Sequence, residues 1–232
     1  MKPAIMLLTH YGVGDSLAMN GVVQNLIQEH RVVYPLPFTN PRLLATVSWM
    51  YRDKPDVILL PVTCGLTFQR LVENAPKNEP SLRRAFTLSK PYDGRCGVEF
   101  MYGAQFGLHP DHFWDSFDVT RDRSIELTPS PDPYIFVHDD PARASEKYSF
   151  TIDAARLPKL PAFYARKGIS DNLFGLLSII EKAQEIHVIH SCIWVLCEMF
   201  PQLVRGKRLV LHWYARPSGP IWPHRLPWEI LK

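Results

Sequence analysis

Residues 4–16 read AIMLLTHYGVGDS, and this stretch decides the fold class. Ala4 to Thr9 is a continuous apolar run, the pattern of a strand covered on both faces in a parallel sheet. The turn from His10 to Ser16, with Gly12, Gly14 and Asp15 inside it, follows directly. Beyond it Met19, Val22, Val23, Leu26 and Ile27 recur at helical spacing, which predicts a helix over 16–30. Arg31 to Tyr34 (RVVY) then reads as a second strand. Strand, glycine turn, helix and strand in this order make the first unit of a Rossmann-like half.

The same alternation continues. A helix is expected over 41–51, with Pro41 in its first turn, where the missing amide hydrogen has no helical partner to lose. A third strand is expected over 56–62, and helices over 66–73 and 98–106. The segment 127–133, LTPSPDP, reads as a linker and places a boundary between lobes at 1–128 and 129–232. The second half has strand patterns at 134–137, 150–152, 186–189 and 209–212, and helical patterns at 172–183 and 191–200. The expected fold class is α/β, built as two small Rossmann-like lobes.

Composition sets the outer bounds. Of 232 residues, 46% are hydrophobic and 21% charged, so a core forms without help from disulfides or metal. The 21 prolines are expected to mark loops and tails. A net charge of +3 with no long Lys/Arg run leaves a nucleic-acid partner possible but unsupported. Cys64, Cys96, Cys192 and Cys197 form no Cys-x-x-Cys pair or zinc spacing, and are expected to be thiols of a reducing compartment. The apolar run Ala4–Leu8 is too short for a signal-peptide core or a membrane span, which points to a cytoplasmic protein without a membrane span.

Four clusters are candidates for chemistry. In the turn His10–Ser16, two glycines let the backbone approach a ligand, and Asp15 or Ser16 serves equally well as a helix cap. The third glycine of a dinucleotide fingerprint is missing, because position 17 is Leu. His138, Asp139 and Arg143 lie just beyond a strand's carboxyl end, where open α/β sheets bind ligands and a guanidinium can fork onto phosphate. His190 and Ser191 open a helix after another strand, a place for a phosphate or for an ordinary N-cap. His212, Tyr214 and Arg216 follow the last strand expected. A thiol reaction through Cys192 lacks a recognisable partner set.

Taken in order, LLTHYGVGDSLAMNGVV (7–23), FWDSFDVTRD (113–122), YIFVHDDPAR (134–143), EIHVIHSCIWVLCE (185–198) and LHWYARPSGPIWPHRLPWEIL (211–231) resemble bacterial and phage GT-B-type glycosyltransferases. That family is distantly similar to the heptosyltransferase group. The resemblance implies two lobes facing a cleft, with a nucleotide-sugar donor held by the second lobe and a saccharide or glycan acceptor entering from the first. It implies Asp15 as the catalytic base of an inverting transfer, His10, Gly12, Gly14 and Ser16 lining the acceptor side, and no cofactor or metal. His138, Asp139, Arg143, His190, Ser191, His212, Tyr214 and Arg216 are the implied donor-binding residues. The family pattern has Asp where this chain has His190, which alters the local charge and bears on donor choice or activity. A non-catalytic nucleotide- or glycan-binding relative and a phage DNA glycosyltransferase are the alternatives.

Overall fold

The computed structural model describes residues 2–8, 12–37, 40–62, 82–84, 114–217 and 224–232. The chain divides into two compact units, Met1–Thr120 and Arg121–Lys232. The Pro-rich stretch 127–133 falls within the second unit and leads into its first strand.

The described part of the first unit carries strands β1 (Ala4–Leu8), β2 (Arg31–Pro37), β3 (Val57–Val62) and β4 (Leu82–Arg84). They form a parallel sheet in the order β3-β2-β1-β4. Helices α1 (Val13–Ala18), α2 (Asn20–Glu29) and α3 (Pro41–Met50) complete the described elements. Leu7, Leu17, Met19, Val23, Val32 and Tyr34 are fully buried, so the apolar run of β1 and the apolar stripe of the helices share one core.

The second unit carries β5 (Ile135–His138), β6 (Ala162–Tyr164), β7 (Glu185–Val188), β8 (Arg208–His212) and β9 (Glu229–Leu231). These form a second parallel sheet, ordered β6-β5-β7-β8-β9. Its helices are α4 (Leu177–Lys182), α5 (Cys192–Met199) and α6 (Pro201–Val204). Helix α5 is apolar on nearly all sides and buried from Ile193 to Met199. It therefore belongs to the core rather than to the surface. Two parallel sheets with interleaved helices make the fold mixed α/β and Rossmann-like. Among the described residues no helix is long and apolar enough to cross a membrane.

Several local expectations are corrected. The helix expected over 16–30 starts earlier, because the Gly12 carbonyl already accepts from the Ser16 amide at 3.0 Å, and it breaks at Met19 into α1 and α2. Prolines were expected to mark loops and tails, yet Pro35 and Pro37 lie in β2, which runs past Tyr34 to Pro37. Among the described residues, β2 pairs with β1 at Arg31–Val33 and with β3 along its proline end, and proline is tolerated where a strand edge needs no amide donor. The strand expected at 150–152 is a bridging loop. Phe150 has φ 52, its amide donates to Ala215 O at 2.9 Å, and its carbonyl accepts from the Asp140 amide at 2.8 Å. The helix expected over 172–183 opens as a 3-10 turn, Leu173–Leu176, before α4. Strands β4, β6 and β9 were not expected. The helices expected over 66–73 and 98–106 lie outside the described residues.

Candidate active site

In an open parallel sheet, ligands gather at the carboxyl ends of the strands where the strand order reverses direction. The first sheet reverses at β1, with β2 on one side and β4 on the other, and the turn after β1 holds Gly12, Gly14 and Asp15. The second sheet reverses at β5, between β6 and β7. The loops after β5 and β7 hold His138–Arg143 and His190–Ser191. Three of the four candidate clusters thus fall at the two reversals.

In the first unit, Gly12 is the N-cap of α1, in extended conformation and without a capping side chain. Gly14 and Asp15 lie in the first turn of α1 and are half-buried. The Asp15 carboxylate packs back over Gly12, so closely that a β-carbon there would stand 2.1 Å from Oδ2. Ser16 is buried; its hydroxyl donates to Gly12 O at 3.1 Å and accepts from the Tyr34 hydroxyl at 3.3 Å. Ser16 is therefore bound into the core. His10 lies outside the described residues.

In the second unit, the cluster after β5 is braced from β6 and the loop that follows it. His138 Nδ1 meets Ala165 O at 2.6 Å. Asp139, 1% exposed, accepts both arms of the Arg166 guanidinium at 2.8 and 3.1 Å. A paired fork of this kind satisfies both carboxylate oxygens, and it holds the Arg166 guanidinium above its usual pKa. Arg143 instead reaches outward, its side chain 60% exposed, and lies over the Phe150 ring at 5.1 Å.

Arg216 approaches the same ring at 5.4 Å and donates to the His190 carbonyl at 2.6 Å. Phe150 thus gathers two guanidiniums, one from the loop after β5 and one from the segment after β8. The His190 ring is buried against Trp194 and Trp213, at 5.3 and 5.0 Å. Burial, and then Arg216, push its pKa down to about 4, so it is neutral at pH 7. Ser191 caps α5, its hydroxyl oxygen accepting from the Ile193 amide at 3.3 Å.

His212 and Tyr214 belong to an internal chain. The Tyr214 hydroxyl accepts from the Asp153 amide at 2.9 Å and meets His212 Nδ1 at 3.1 Å. His212 Nε2 faces His187 Nδ1 at 3.1 Å, and His187 Nε2 faces Glu185 at 3.2 Å. Tyr214 donating inward, with both imidazoles protonated at Nε2, satisfies every group of this chain. Burial pushes His212 down to about 4 and lowers His187 as well, so both are neutral.

Of the residues named from sequence, Arg143, Arg216 and Ser191 therefore gather near the carboxyl edge of the second sheet. His138, Asp139, His190, His212 and Tyr214 brace that edge from inside. Phe150, Arg166 and Tyr34 were missed. Glu185 and His187 left a trace, through their period-two spacing on one face of a strand. Cys197 is buried and its thiol pushed well up, which makes it inert. Among the described residues no group of three or more His, Cys, Asp or Glu side chains is placed to hold a metal ion.

No family model matches the chain, and no curated protein is significantly similar to it. Two solved structures share its fold. One is the bacterial iron-containing dodecameric glycosyltransferase TibC from enterotoxigenic E. coli H10407, at TM-score 0.53 and 10% identity. The match covers 97% of this chain and 62% of that one. The other is the dodecameric iron-containing heptosyltransferase TibC in complex with ADP-D-β-D-heptose, at TM-score 0.54 and 11% identity. It covers 91% of this chain and 59% of that one. What the chain shares with these structures is the Rossmann-like α/β fold. The chain spans about three fifths of the length of these TibC chains.

Proposed function

We propose that the protein transfers a glycosyl group from a nucleotide-sugar donor to a hydroxyl acceptor, as a bacterial or phage enzyme of the GT-B type. The observation that carries this reading is the convergence of Arg143 and Arg216 on Phe150, beside a strand-order reversal and the capped start of α5. Two guanidiniums at one carboxyl edge suit a diphosphate, whose oxygens they can fork onto and whose charge they offset. The shared fold with TibC, one of whose structures holds ADP-D-β-D-heptose, supports the same donor class.

In this reading the second unit holds the donor and the first unit presents the acceptor, a saccharide or glycan. The Asp15 carboxylate takes the proton of the acceptor hydroxyl as its oxygen bonds to the anomeric carbon. The bond from that carbon to the diphosphate breaks, and its electron pair leaves on the diphosphate, stabilised by Arg143 and Arg216. One displacement of this kind inverts the anomeric centre. The cationic side chains take the charge-balancing part that a divalent cation plays elsewhere, and no cofactor is required.

A thermal-shift screen of nucleoside diphosphates and nucleotide sugars, with ADP-D-β-D-heptose included, tests the reading. A ligand bound only by the native state raises the melting temperature. A hit that is bound but neither transferred nor hydrolysed indicates a non-catalytic relative; no shift with any of them contradicts the donor assignment.

A further inference from the structure

Gly12 is not explained by backbone conformation. Its φ of −83° and ψ of 145° are open to any L-residue. What excludes a side chain is Asp15: a β-carbon on Gly12 would stand 2.1 Å from Oδ2 and 3.2 Å from Cγ of that carboxylate. The glycine makes room for the acid that follows it by three residues. The carbonyl of the same glycine is held in turn. It accepts from the Ser16 amide at 3.0 Å and from the Ser16 hydroxyl at 3.1 Å. The Ser16 hydroxyl accepts from Tyr34 of β2, which is fully buried. The Tyr34 ring packs against Tyr51, 6.0 Å away at the end of α3. A chain of buried hydroxyls therefore runs from the adjacent strand to the peptide on which the carboxylate rests.

We infer that Gly12, Ser16 and Tyr34 are positioning residues that fix the Asp15 carboxylate, and that this placement sets the rate of the transfer. The inference rests on the reading of Asp15 as the base. Two consequences follow from the geometry. The carboxylate occupies the space over the start of α1, so this turn repels phosphate and suits a neutral hydroxyl. A side chain on Gly12 displaces the carboxylate rather than the backbone, whose dihedral angles accept alanine, although Ala is a poorer N-cap than Gly and lowers stability somewhat. A displacement of about 1 Å at a reacting group costs on the order of 100-fold in rate.

The test uses the full chain and the variants Gly12→Ala, Tyr34→Phe, Asp15→Asn and Gly12→Ala/Asp15→Asn. The first readout is the carboxyl-carbon NMR resonance of Asp15. It is expected to move in Gly12→Ala and Tyr34→Phe while the melting temperature stays within a few degrees; an unmoved resonance overturns the inference. The second readout is turnover of the nucleotide sugar that the wild type uses. Gly12→Ala and Tyr34→Phe are expected to lower kcat, about 100-fold for Gly12→Ala, with KM for the donor unchanged. Gly12→Ala is expected to add no loss on top of Asp15→Asn, the non-additivity of groups acting through one another. Ser16→Thr, which keeps the hydroxyl, is expected to retain more activity than Ser16→Ala. Full kcat in Gly12→Ala beside a dead Asp15→Asn refutes the positioning role alone. Full turnover in Asp15→Asn, with its resonance displaced in Gly12→Ala, refutes the catalytic reading instead.

Discussion

His212 Nε2 and His187 Nδ1 face each other at 3.1 Å on adjacent parallel strands, and both rings are fully buried. With both rings neutral and protonated at Nε2, His212 donates to His187 Nδ1 and His187 donates to Glu185. Glu185, Arg208 and Glu229 stand at the His187 end, and Tyr214, Arg156 and Asp153 at the His212 end. Protonation of either ring puts a charge into this buried chain and removes an acceptor from it.

Acid sensitivity follows, with a definite sign. Burial holds His190 and His212 near 4 and lowers His187, against an ordinary value of 6.5. Between pH 6.5 and about 4 the unfolded chain binds protons that the folded one refuses, so stability falls as pH falls through that window. Each such group contributes up to about 1.4 kcal/mol per pH unit. Urea midpoints measured from pH 7.5 to 5 are expected to drop steadily, and His212→Gln is expected to flatten the slope even if its stability is lower throughout. A midpoint independent of pH in this range contradicts the buried neutral pair.

Arg143 and Arg216 are expected to act on the same ligand. Replacing either by Ala should weaken a nucleoside diphosphate about 10- to 100-fold by calorimetry, as loss of one charge-assisted contact does. Arg216→Ala should also loosen the segment after β8, because its guanidinium holds the His190 carbonyl at 2.6 Å. Arg143→Ala leaves that contact in place. Unchanged affinity in both variants removes the diphosphate from this edge.

Asp139 depends on Arg166 for both of its oxygens. Arg166→Ala leaves a buried carboxylate without its fork, while Arg166 itself is half-exposed and solvent replaces part of what is lost. A loss of about 2 kcal/mol in unfolding free energy is expected. Arg166→Lys restores the charge without the two-pronged geometry and should recover only part of it.

A buried carboxylate on α5 fixes the C-terminal segment. Glu198 accepts from the Trp228 indole at 2.5 Å and from the Arg225 amide at 2.9 Å. Trp228→Phe keeps an aromatic ring but removes the N–H donor and part of the buried indole, so a loss of about 1–3 kcal/mol is expected. Hydrogen exchange should rise in β9, which among the described residues is the edge strand beside β8. No change in either quantity contradicts the latch.

The fold was legible where one physical signal dominated. Apolar runs such as Ala4–Leu8 and Tyr134–Val137 read as doubly covered strands, and the stripe from Met19 to Ile27 as a helix. Strands β6 and β9 are three residues each and flanked by proline, so neither length nor alternation marks them. The clusters at strand ends were legible because fold class alone fixes which ends matter. The roles within them were not. That His138 turns to Ala165, 27 positions on, or that Phe150 collects Arg216, 66 positions on, beside the nearby Arg143, is a contact no local pattern encodes. Glycine at position 12 was read as a source of backbone freedom; the space taken by Asp15 is the reason the structure gives.

The measurement that bears most directly on the proposed activity is the release of nucleoside diphosphate from nucleotide sugars, ADP-D-β-D-heptose among them, by wild type and Asp15→Asn. At least one donor is expected to be turned over, and Asp15→Asn is expected to lower its rate by about 100-fold or more, within the range general-base loss produces, while still binding it. Turnover undiminished in Asp15→Asn, or no donor bound or consumed across the set, contradicts the proposed activity.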